Sequence, residues 1–270
     1  MTAPISAEEI LQLADLNLVE FWRESSRRAP GGEVVERDGV LLAAGGNDFP
    51  VLINLAMRVD PRVPDADVIA AADAYFGERG RGYTLLVRHH AEPSLADAAS
   101  AAGFQTPGQP APWLVLDERL PHADPPAGLV IERVVDEEGV RRFAEVGAHA
   151  FATYGMPVEA MTTNFDPPRW LDPHLCLFLG TREGEPVACA GTLVSHAVSG
   201  VYWVGTLPDF RGRGFAEALT RVAGNAGFDL GARFASLQAS VMGDPIYRRM
   251  GYREIGSQQS WVRFTPPATA

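Results

Sequence analysis

The chain has 270 residues, of which 46% are hydrophobic and 21% charged, a composition typical of a globular protein with one large domain or two ordinary ones. Its formal net charge is -11, and all 23 basic residues are arginine. A P-loop lysine and a Schiff-base lysine are therefore excluded. An acidic body argues against binding long nucleic acids, whose affinity depends on many cationic contacts to phosphate, and favours a neutral or cationic partner.

The first half of the sequence alternates helices and strands. Apolar residues three and four apart predict a helix over 10–22. The elements predicted after it are strands over 39–44 and 52–59, a helix over 66–76, a strand over 83–88, a helix over 94–102 and a strand over 113–116. Strands interleaved with helices indicate an α/β layer.

A proline-rich stretch without helical or strand periodicity covers 117–128 and includes Pro121, Pro125 and Pro126. We place a domain boundary there, which gives domains over 1–127 and 128–270. The second domain is predicted to contain strands over 129–134, 175–181, 187–196, 201–206, 234–241, 252–255 and 260–264, and helices from Asp136 to about Tyr154, from about Phe215 to Phe228 and over 245–250. Hairpin turns are predicted at Glu183-Gly184 and Ser199-Gly200.

The two halves of the sequence share a pattern of short segments. In each, a short X-X-Pro segment precedes a helix and a buried strand, at 59–61 and at 206–208. A glycine-aromatic pair then ends a shorter helix, at 102–104 and at 250–252. We interpret this shared pattern as two copies of one unit, with chance similarity between α/β halves as the alternative.

A glycine-rich loop, present only in the second copy, lies between the strand ending at Thr206 and the helix starting near Phe215. It reads Arg211-Gly212-Arg213-Gly214-Phe215-Ala216. Glycines allow a tight turn that exposes backbone N–H groups at a helix N-terminus, where the helix dipole also favours an anion. The pattern predicts a pyrophosphate site that needs no lysine.

This loop and a second segment carry a resemblance to a known family. Residues 206–216 resemble the acyl-CoA-binding motif of the GNAT superfamily of N-acyltransferases, with Arg211, Gly214 and Ala216 at its R/Q-x-x-G-x-G/A positions. Residues 246–252 are similar to that superfamily's later Leu-Tyr-x-x-x-Gly-Phe segment. The two motifs occur in the family's order, and the likeness covers about 128–265.

The resemblance implies a fold and a set of contacts. The fold would be α/β with a mixed sheet of the α+β type, in two GNAT-like units of which the N-terminal one is degenerate. Backbone amides over 213–216 would hold the coenzyme pyrophosphate, next to Arg211 and Gly212. The N–H of Val204 would meet the thioester carbonyl, and Thr206 the pantetheine amides.

The resemblance also assigns a catalytic residue. Tyr247 corresponds to the family's general acid, which would protonate the leaving thiolate of the coenzyme. Ser240 stands where many members have Asn, so one cofactor or backbone hydrogen bond would be shortened or lost.

The general base is unassigned. Many members carry a Glu on the strand before the loop, yet no Asp or Glu lies between Pro186 and Pro208. His196, His149, Asp166 or Asp172 could relay a proton through water, or the amine could arrive already neutral.

The resemblance implies that the segment 154–170 and the strand residues Tyr202 and Trp203 form the acceptor pocket. Aromatic walls with Asp166 and Asp172 suit a small cationic amine, and core packing is the alternative. The acceptor's identity, the acyl chain length and the oligomeric state, a homodimer included, stay open.

The expected function is transfer of an acetyl group from acetyl-CoA, the acyl-donor substrate, to a primary amine of a small molecule by direct attack. A catalytically silent acyl-CoA-binding sensor is the main alternative, motivated by the missing carboxylate. Nucleotide binding by the glycine loop is a weaker one, because no lysine and magnesium-site serine follow it. An acyl-enzyme route through Cys176 or Cys189 is disfavoured, because both fall in predicted buried strands.

The cysteines and the N-terminal residues indicate the cellular compartment in which the protein is expected. Neither cysteine belongs to a CxxC motif or a Cys/His cluster, so the sequence predicts no metal site and no disulfide framework. Residues 1–23 lack the basic and apolar parts of a secretory signal, and no apolar run is long enough to span a membrane. We expect a cytoplasmic protein with no membrane partner.

Overall fold

The computed structural model describes residues 5–264, and the chain divides into two compact units. The larger unit comprises the residues up to Phe21 together with Trp113–Ile255, and the smaller unit comprises Trp22–Pro112 together with the residues from Gly256 onward. This division differs from the predicted boundary at 127/128. Each unit combines segments from both halves of the sequence, which composition along the chain cannot reveal.

The helices and strands follow the predicted order closely. The α-helices are α1 (Ala7–Arg28), α2 (Asp65–Gly77), α3 (Pro93–Ala101), α4 (Glu137–Phe151), α5 (Val158–Thr162), α6 (Phe215–Asp229) and α7 (Asp244–Arg249). The strands are β1 (Glu33–Arg37), β2 (Val40–Ala44), β3 (Leu55–Arg58), β4 (Tyr83–Arg88), β5 (Ala111–Leu116), β6 (Val130–Arg133), β7 (Leu175–Arg182), β8 (Glu185–Ser195), β9 (Val198–Thr206), β10 (Phe234–Gln238) and β11 (Arg253–Arg263). Short 3-10 helices cover Ala152–Tyr154, Pro167–Trp170 and Pro208–Phe210.

The larger unit is built on a mixed sheet with the order β5-β10-β9-β8-β7-β6. Its strands are antiparallel except β9 and β10, which are parallel and joined through α6. Ala188 and Ala190 pack in one cluster with Leu219 and Ala223 of α6. Cys189, between them in β8, lies on the α4 side, since its Sγ is 3.8 Å from the position that a Cβ on Gly147 would occupy. The two helices therefore cover opposite faces, as alternation along a strand requires.

Helix α1 is fixed to this sheet by a buried polar network. The Asn17 amide donates to Ser195 Oγ at 2.8 Å, and its carbonyl oxygen accepts from the Tyr202 hydroxyl at 2.7 Å. Phe21 stacks on Tyr202 with ring centroids 3.6 Å apart. Asn17 is fully buried, so each of these bonds replaces one to water that burial removes.

The smaller unit repeats the strand pattern with the order β1-β2-β3-β4-β11, in which only β3 and β4 are parallel. The fold class, α/β with mixed sheets, is thus confirmed. In the larger unit the strand beside β10 is β5, which follows α3 along the chain, and in the smaller unit the strand beside β4 is β11, which follows α7. Each unit is completed by a strand from the other copy's sequence.

The smaller unit has no glycine-rich loop before its crossover helix. Its α2 begins with Asp65, which is paired with the buried Arg58 at the end of β3. Arg88 at the end of β4 pairs with the buried Glu92 at 3.1 Å. The N-terminus of α2 therefore already has its own carboxylate, which fits the description of this unit as degenerate.

The hairpin turn predicted at Ser199-Gly200 was wrong. Ser195 pairs with Val198, so the turn residues are His196 and Ala197, with φ of 52° and 59°. Gly200 lies inside β9, where a Cβ would come within 2.0 Å of Asn17 Oδ1. A glycine is needed at position 200 because α1 packs closely against β9 there, and not because the chain turns. The turn predicted at Glu183-Gly184 is confirmed, with φ of 53° and 87°.

Three other elements differ from the sequence prediction. Two predicted final strands form the single strand β11, β1 was not predicted, and α5 forms within the proline-broken stretch. Across the described 260-residue stretch, no helix has the length and apolar character needed to cross a membrane. The same stretch brings together no group of three or more His, Cys, Asp or Glu side chains suited to a metal ion.

Candidate active site

A pocket opens in the larger unit where β9 and β10 separate. The two strands pair only between Val198–Gly200 and Phe234–Ser236. Further along, β9 pairs with β8 through Tyr202 and again from Gly205, which leaves Trp203 and Val204 in a bulge, with a φ of 58° at Trp203. A β-bulge removes backbone groups from the hydrogen-bond ladder between the strands and changes their direction. Val204, in this bulge, lines the pocket.

The glycine-rich loop forms one end of this pocket. Gly212 and Gly214 adopt left-handed φ values of 74° and 79°, which side chains with a Cβ rarely adopt. Among the described residues, no backbone carbonyl accepts a bond from the consecutive amides of 212–217. A run of free N–H groups at the N-terminus of α6 is a ready anion site, because the helix dipole adds to them.

The pocket has a volume of about 340 Å³, within the usual range for small-molecule sites. Its walls come from the end of α4 and the following 3-10 helix, from β9, from the glycine loop and from the β10–α7 segment. The lining residues that the sequence predicted are Val204, Thr206, Arg211, Gly212, Gly214, Phe215, Ala216, Ser240 and Tyr247. Arg213 does not line it: its side chain is exposed and donates to the Asp209 carbonyl at 3.3 Å.

Tyr247 lies in α7 and is 7% exposed. Burial raises the pKa of its phenol to about 12, because the phenolate loses its hydration. The ring passes so close to Gly243 that a Cβ there would lie 2.7 Å from Tyr247 Cε2. The phenol is therefore held in place and keeps its proton at neutral pH, as a proton donor requires.

Thr206 offers an unused polar group at the centre of the pocket. Its hydroxyl oxygen is buried and has no hydrogen-bond partner among the described residues. Its carbonyl oxygen accepts from Arg211 Nε at 3.2 Å.

Arg211 braces the loop. Besides Thr206, its guanidinium donates to the Ala150 carbonyl at 3.0 Å and to the Thr153 hydroxyl at 3.1 Å. It thereby joins the loop to the C-terminal end of α4, where a cation is also favoured by the helix dipole.

Seven arginines lie between residues 211 and 253, and most of those other than Arg211 and Arg213 are paired with acids. Arg221, Arg233, Arg248 and Arg253 pair with Glu217, Glu9, Asp244 and Asp117, respectively. Arg249 lines the pocket, and within 5–264 its only hydrogen bond goes to the Pro245 carbonyl, at 3.0 Å. It is the cation in the pocket wall best placed to meet an anionic ligand.

The structure brings none of the four candidate bases into the pocket. His196 lies in the β8–β9 turn and His149 is exposed on α4. Asp166 pairs with Arg169 at 3.1 Å, and Asp172 accepts from the His174 amide at 2.7 Å. Among the lining residues the only acid is Glu217, in the first turn of α6.

The predicted acceptor segment is divided in two by the fold. Tyr154 lines the pocket, but Tyr202 is buried against α1, and Trp203 packs against Phe151 and Phe165 at centroid distances of 6.1 and 5.8 Å. For Tyr202 and Trp203 the core-packing alternative therefore describes the structure.

Both cysteines are buried, as predicted. Burial raises the pKa of the Cys189 thiol to about 12 and raises that of Cys176 as well. Raised thiol pKa values disfavour the nucleophilic thiolate, and neither residue lines the pocket.

Sequence reasoning missed several lining residues. Phe151 is the last residue of α4, and Met242 and Gly243 belong to the β10–α7 segment. Tyr154, which the sequence placed in the acceptor segment, lies in the 3-10 helix after α4. Tyr154 donates from its hydroxyl to Ser240 Oγ at 3.2 Å. Phe151 and Tyr154 are one helical turn apart at the end of an amphipathic helix, a pattern that reads equally well as core packing.

Comparison with known proteins places this fold. Residues 187–255, which hold the splayed strands, the loop and Tyr247, match the model of the Acetyltransferase (GNAT) domain. A search of curated proteins finds no match.

Solved structures are similar over most of the chain. A GCN5-related N-acetyltransferase from Kribbella flavida has 22% identity and a TM-score of 0.70, covering 94% of this chain and 96% of that one. A GCN5-related N-acetyltransferase from Sphaerobacter thermophilus has 17% identity and a TM-score of 0.58, covering 86% and 82%. At these identities the likeness shows the fold alone. The domain match over residues 187–255 and this shared fold agree with the resemblance to the GNAT superfamily that the two sequence motifs carry.

Proposed function

We propose that this protein transfers an acetyl group from acetyl-CoA to a primary amine of a small molecule by direct attack in a ternary complex. The match of residues 187–255 to the GNAT acetyltransferase domain supports acyl transfer in general. The observation that carries the finer proposal is the run of unbonded amides at 212–217, which opens into the same pocket as the buried phenol of Tyr247.

The residues present fit the proposed acyl donor. A diphosphate would accept hydrogen bonds from the loop amides at the N-terminus of α6, and Arg249 would add a cation near it. The Thr206 hydroxyl would bond to the pantetheine arm, and the Val204 N–H in the bulge would donate to the thioester carbonyl. The pocket volume of about 340 Å³ suits the pantetheine arm, with the nucleotide outside it.

The reaction then needs one attack and two proton transfers. The amine nitrogen attacks the thioester carbon, and the Val204 N–H stabilises the negative charge that develops on oxygen. The carbon–sulfur bond breaks, and the sulfur takes the proton of Tyr247. The amine loses its extra proton to water, because Glu217, the only carboxylate among the lining residues, is already paired with Arg221 at 3.3 Å. The Tyr247 phenolate regains its proton from solvent after the thiol has left.

That scarcity of carboxylates also supports a second candidate, a catalytically silent acyl-CoA sensor. Thiol release from acetyl-CoA across a panel of amines separates the two. The enzyme proposal expects turnover with at least one amine, and a fall of about 100-fold or more in kcat for Tyr247→Phe with the coenzyme Kd unchanged. Coenzyme binding with no turnover on any amine would favour the sensor.

A further inference from the structure

One hydrogen bond joins two walls of the pocket that belong to different elements of the fold. The Tyr154 hydroxyl, on the wall that continues from α4, donates to Ser240 Oγ, on the wall formed by the β10–α7 segment, at 3.2 Å. Both residues line the pocket, as do Phe151 beside the first and Gly243 beside the second. The bond therefore joins the two walls and does not lie within one of them.

Each end of this bridge is fixed by other contacts. Ser240 Oγ also accepts from the Gly243 amide at 3.2 Å, which holds it at the turn into α7. The segment before Tyr154 is held by Arg211, which bonds to Ala150 and Thr153. The same arginine belongs to the glycine loop, so the loop and the bridge are mechanically connected.

Tyr154 is an exposed part of this bridge. It is 51% exposed, in contrast to Met156, which is 7% exposed two residues later. Between them Gly155 has a φ of 83°, and nothing lies within 4 Å of the position of its absent Cβ. A left-handed glycine in open space next to an exposed tyrosine provides a place where the backbone can turn without a clash.

We propose that Tyr154 and Ser240 form a gate across the coenzyme pocket, which opens to admit and to release the pantetheine arm. This proposal rests on the proposed function, because it assigns residues to the passage of the same acyl donor. A neutral hydrogen bond contributes a net of about 0.5–1.5 kcal/mol, so removing it should change the opening rate about 2- to 10-fold.

A gate has a kinetic signature that a simple ligand contact lacks. Breaking a gate bond accelerates association and dissociation together and changes Kd much less than either rate. Losing a ligand contact accelerates dissociation alone. Because both bridge partners serve one bond, Tyr154→Phe and Ser240→Ala should have similar effects, and the double variant should add little to either.

Stopped-flow measurement of coenzyme A association and dissociation on the full chain tests the gate. Tyr154→Phe and Ser240→Ala are each expected to raise both rate constants about 2- to 10-fold. Tyr83→Phe is the matched control, since it also removes a tyrosine hydroxyl that hydrogen-bonds, to Asp73 at 2.8 Å in the smaller unit. It should leave both rates unchanged.

The outcomes separate the gate from the proposed function. If the parent protein binds coenzyme A but the two variants change neither rate, or dissociation alone, the gate is refuted and the acyltransferase proposal stands. Additive effects in the double variant would also refute it. If the parent protein binds no coenzyme A, both proposals fail.

Discussion

Gly214 is the residue whose backbone the coenzyme site depends on most directly. It precedes α6 with a φ of 79°, and a Cβ would lie 3.4 Å from Pro126 Cγ. We expect Gly214→Ala to cost about 1–2 kcal/mol of folding stability through backbone strain, and to weaken coenzyme A binding at least tenfold, because relief of that strain would turn the loop amides. Calorimetric titration and thermal unfolding measure the two effects.

Gly231 provides a matched control for that substitution. It follows α6 with a φ of 91°, nothing lies within 4 Å of its absent Cβ, and it does not line the pocket. Gly231→Ala should show a comparable loss of stability with unchanged coenzyme affinity. Equal losses of affinity in both variants would mean that Gly214 acts only through stability.

Tyr247 gives a prediction about pH. Its phenol must be protonated to donate, and burial raises its pKa to about 12, above the ordinary value near 10. As pH rises, the donor form should therefore persist past pH 10 and be lost only toward pH 12. We expect kcat/KM, which reports the free enzyme, to show no decline from this group up to about pH 10.5.

The control for the pH profile is Tyr247→Phe, whose residual activity should show the same alkaline shape at a lower level. A halving of kcat/KM near pH 10 in the parent protein that is absent from the variant would show that the phenol ionises normally. The burial argument would then be wrong.

At the scale of elements, Arg211 connects the glycine-rich loop to α4. Arg213 makes no such connection to another helix or strand within the described residues. Arg211 bonds to Thr206, Ala150 and Thr153, whereas the one hydrogen bond of the Arg213 side chain within residues 5–264 goes to the nearby Asp209 carbonyl. Arg211→Ala should reduce the free energy of unfolding by about 1.5–3 kcal/mol and weaken coenzyme A binding, because it removes charge-assisted bonds between two pocket walls. Arg213→Ala should change both by much less.

Denaturant unfolding and calorimetric titration of the two variants check this contrast. Similar effects from both substitutions would indicate that the loop needs positive charge in general and not a brace to α4.

The sequence predicted the local backbone of the site better than its walls. Glycines, a tyrosine and their order determine local backbone geometry, so the loop, α6, α7 and Tyr247 are readable from neighbouring residues. The contact of Tyr154 with Ser240 joins residues 86 positions apart. Its residues have no special local pattern, and only the packing of α4 on the sheet brings them together.

Contacts between residues distant in sequence also explain why the hairpin turn at Ser199-Gly200 was predicted wrongly and why no general base is assigned. Gly200 is required by Asn17 of α1, a contact between residues distant in sequence that local turn preferences cannot anticipate. The candidate bases were chosen by residue type alone, and the fold pairs Asp166 with Arg169 and leaves His149 exposed. Side-chain direction is set by tertiary packing, which the sequence pattern does not specify.

At the scale of the whole molecule, the division into units predicts that the second half cannot fold well alone. The larger unit includes Phe21 and Asn17 from α1, and β5, whose buried Trp113 donates to Ser236 Oγ at 2.7 Å. Residues 128–270 expressed alone lack these elements, so β10 would have an open edge.

We expect that segment to aggregate or to unfold without cooperativity, and to bind no coenzyme A. Circular dichroism during thermal unfolding and calorimetric titration test this. A soluble segment with cooperative unfolding and the affinity of the full chain would show that the predicted boundary at 127/128 is a true domain boundary.

The central claim is that main-chain amides of the glycine loop hold a diphosphate and so bring a thioester beside Tyr247. Calorimetric titration of the full chain with coenzyme A, and in parallel with pantetheine, which has the same arm but no diphosphate, tests it most directly. The account predicts clear binding of coenzyme A and at least about 100-fold weaker binding of pantetheine. The difference corresponds to the loss of roughly two or more charge-assisted hydrogen bonds to the diphosphate. Absence of heat with millimolar coenzyme A, or equal affinity for the two ligands, would contradict it.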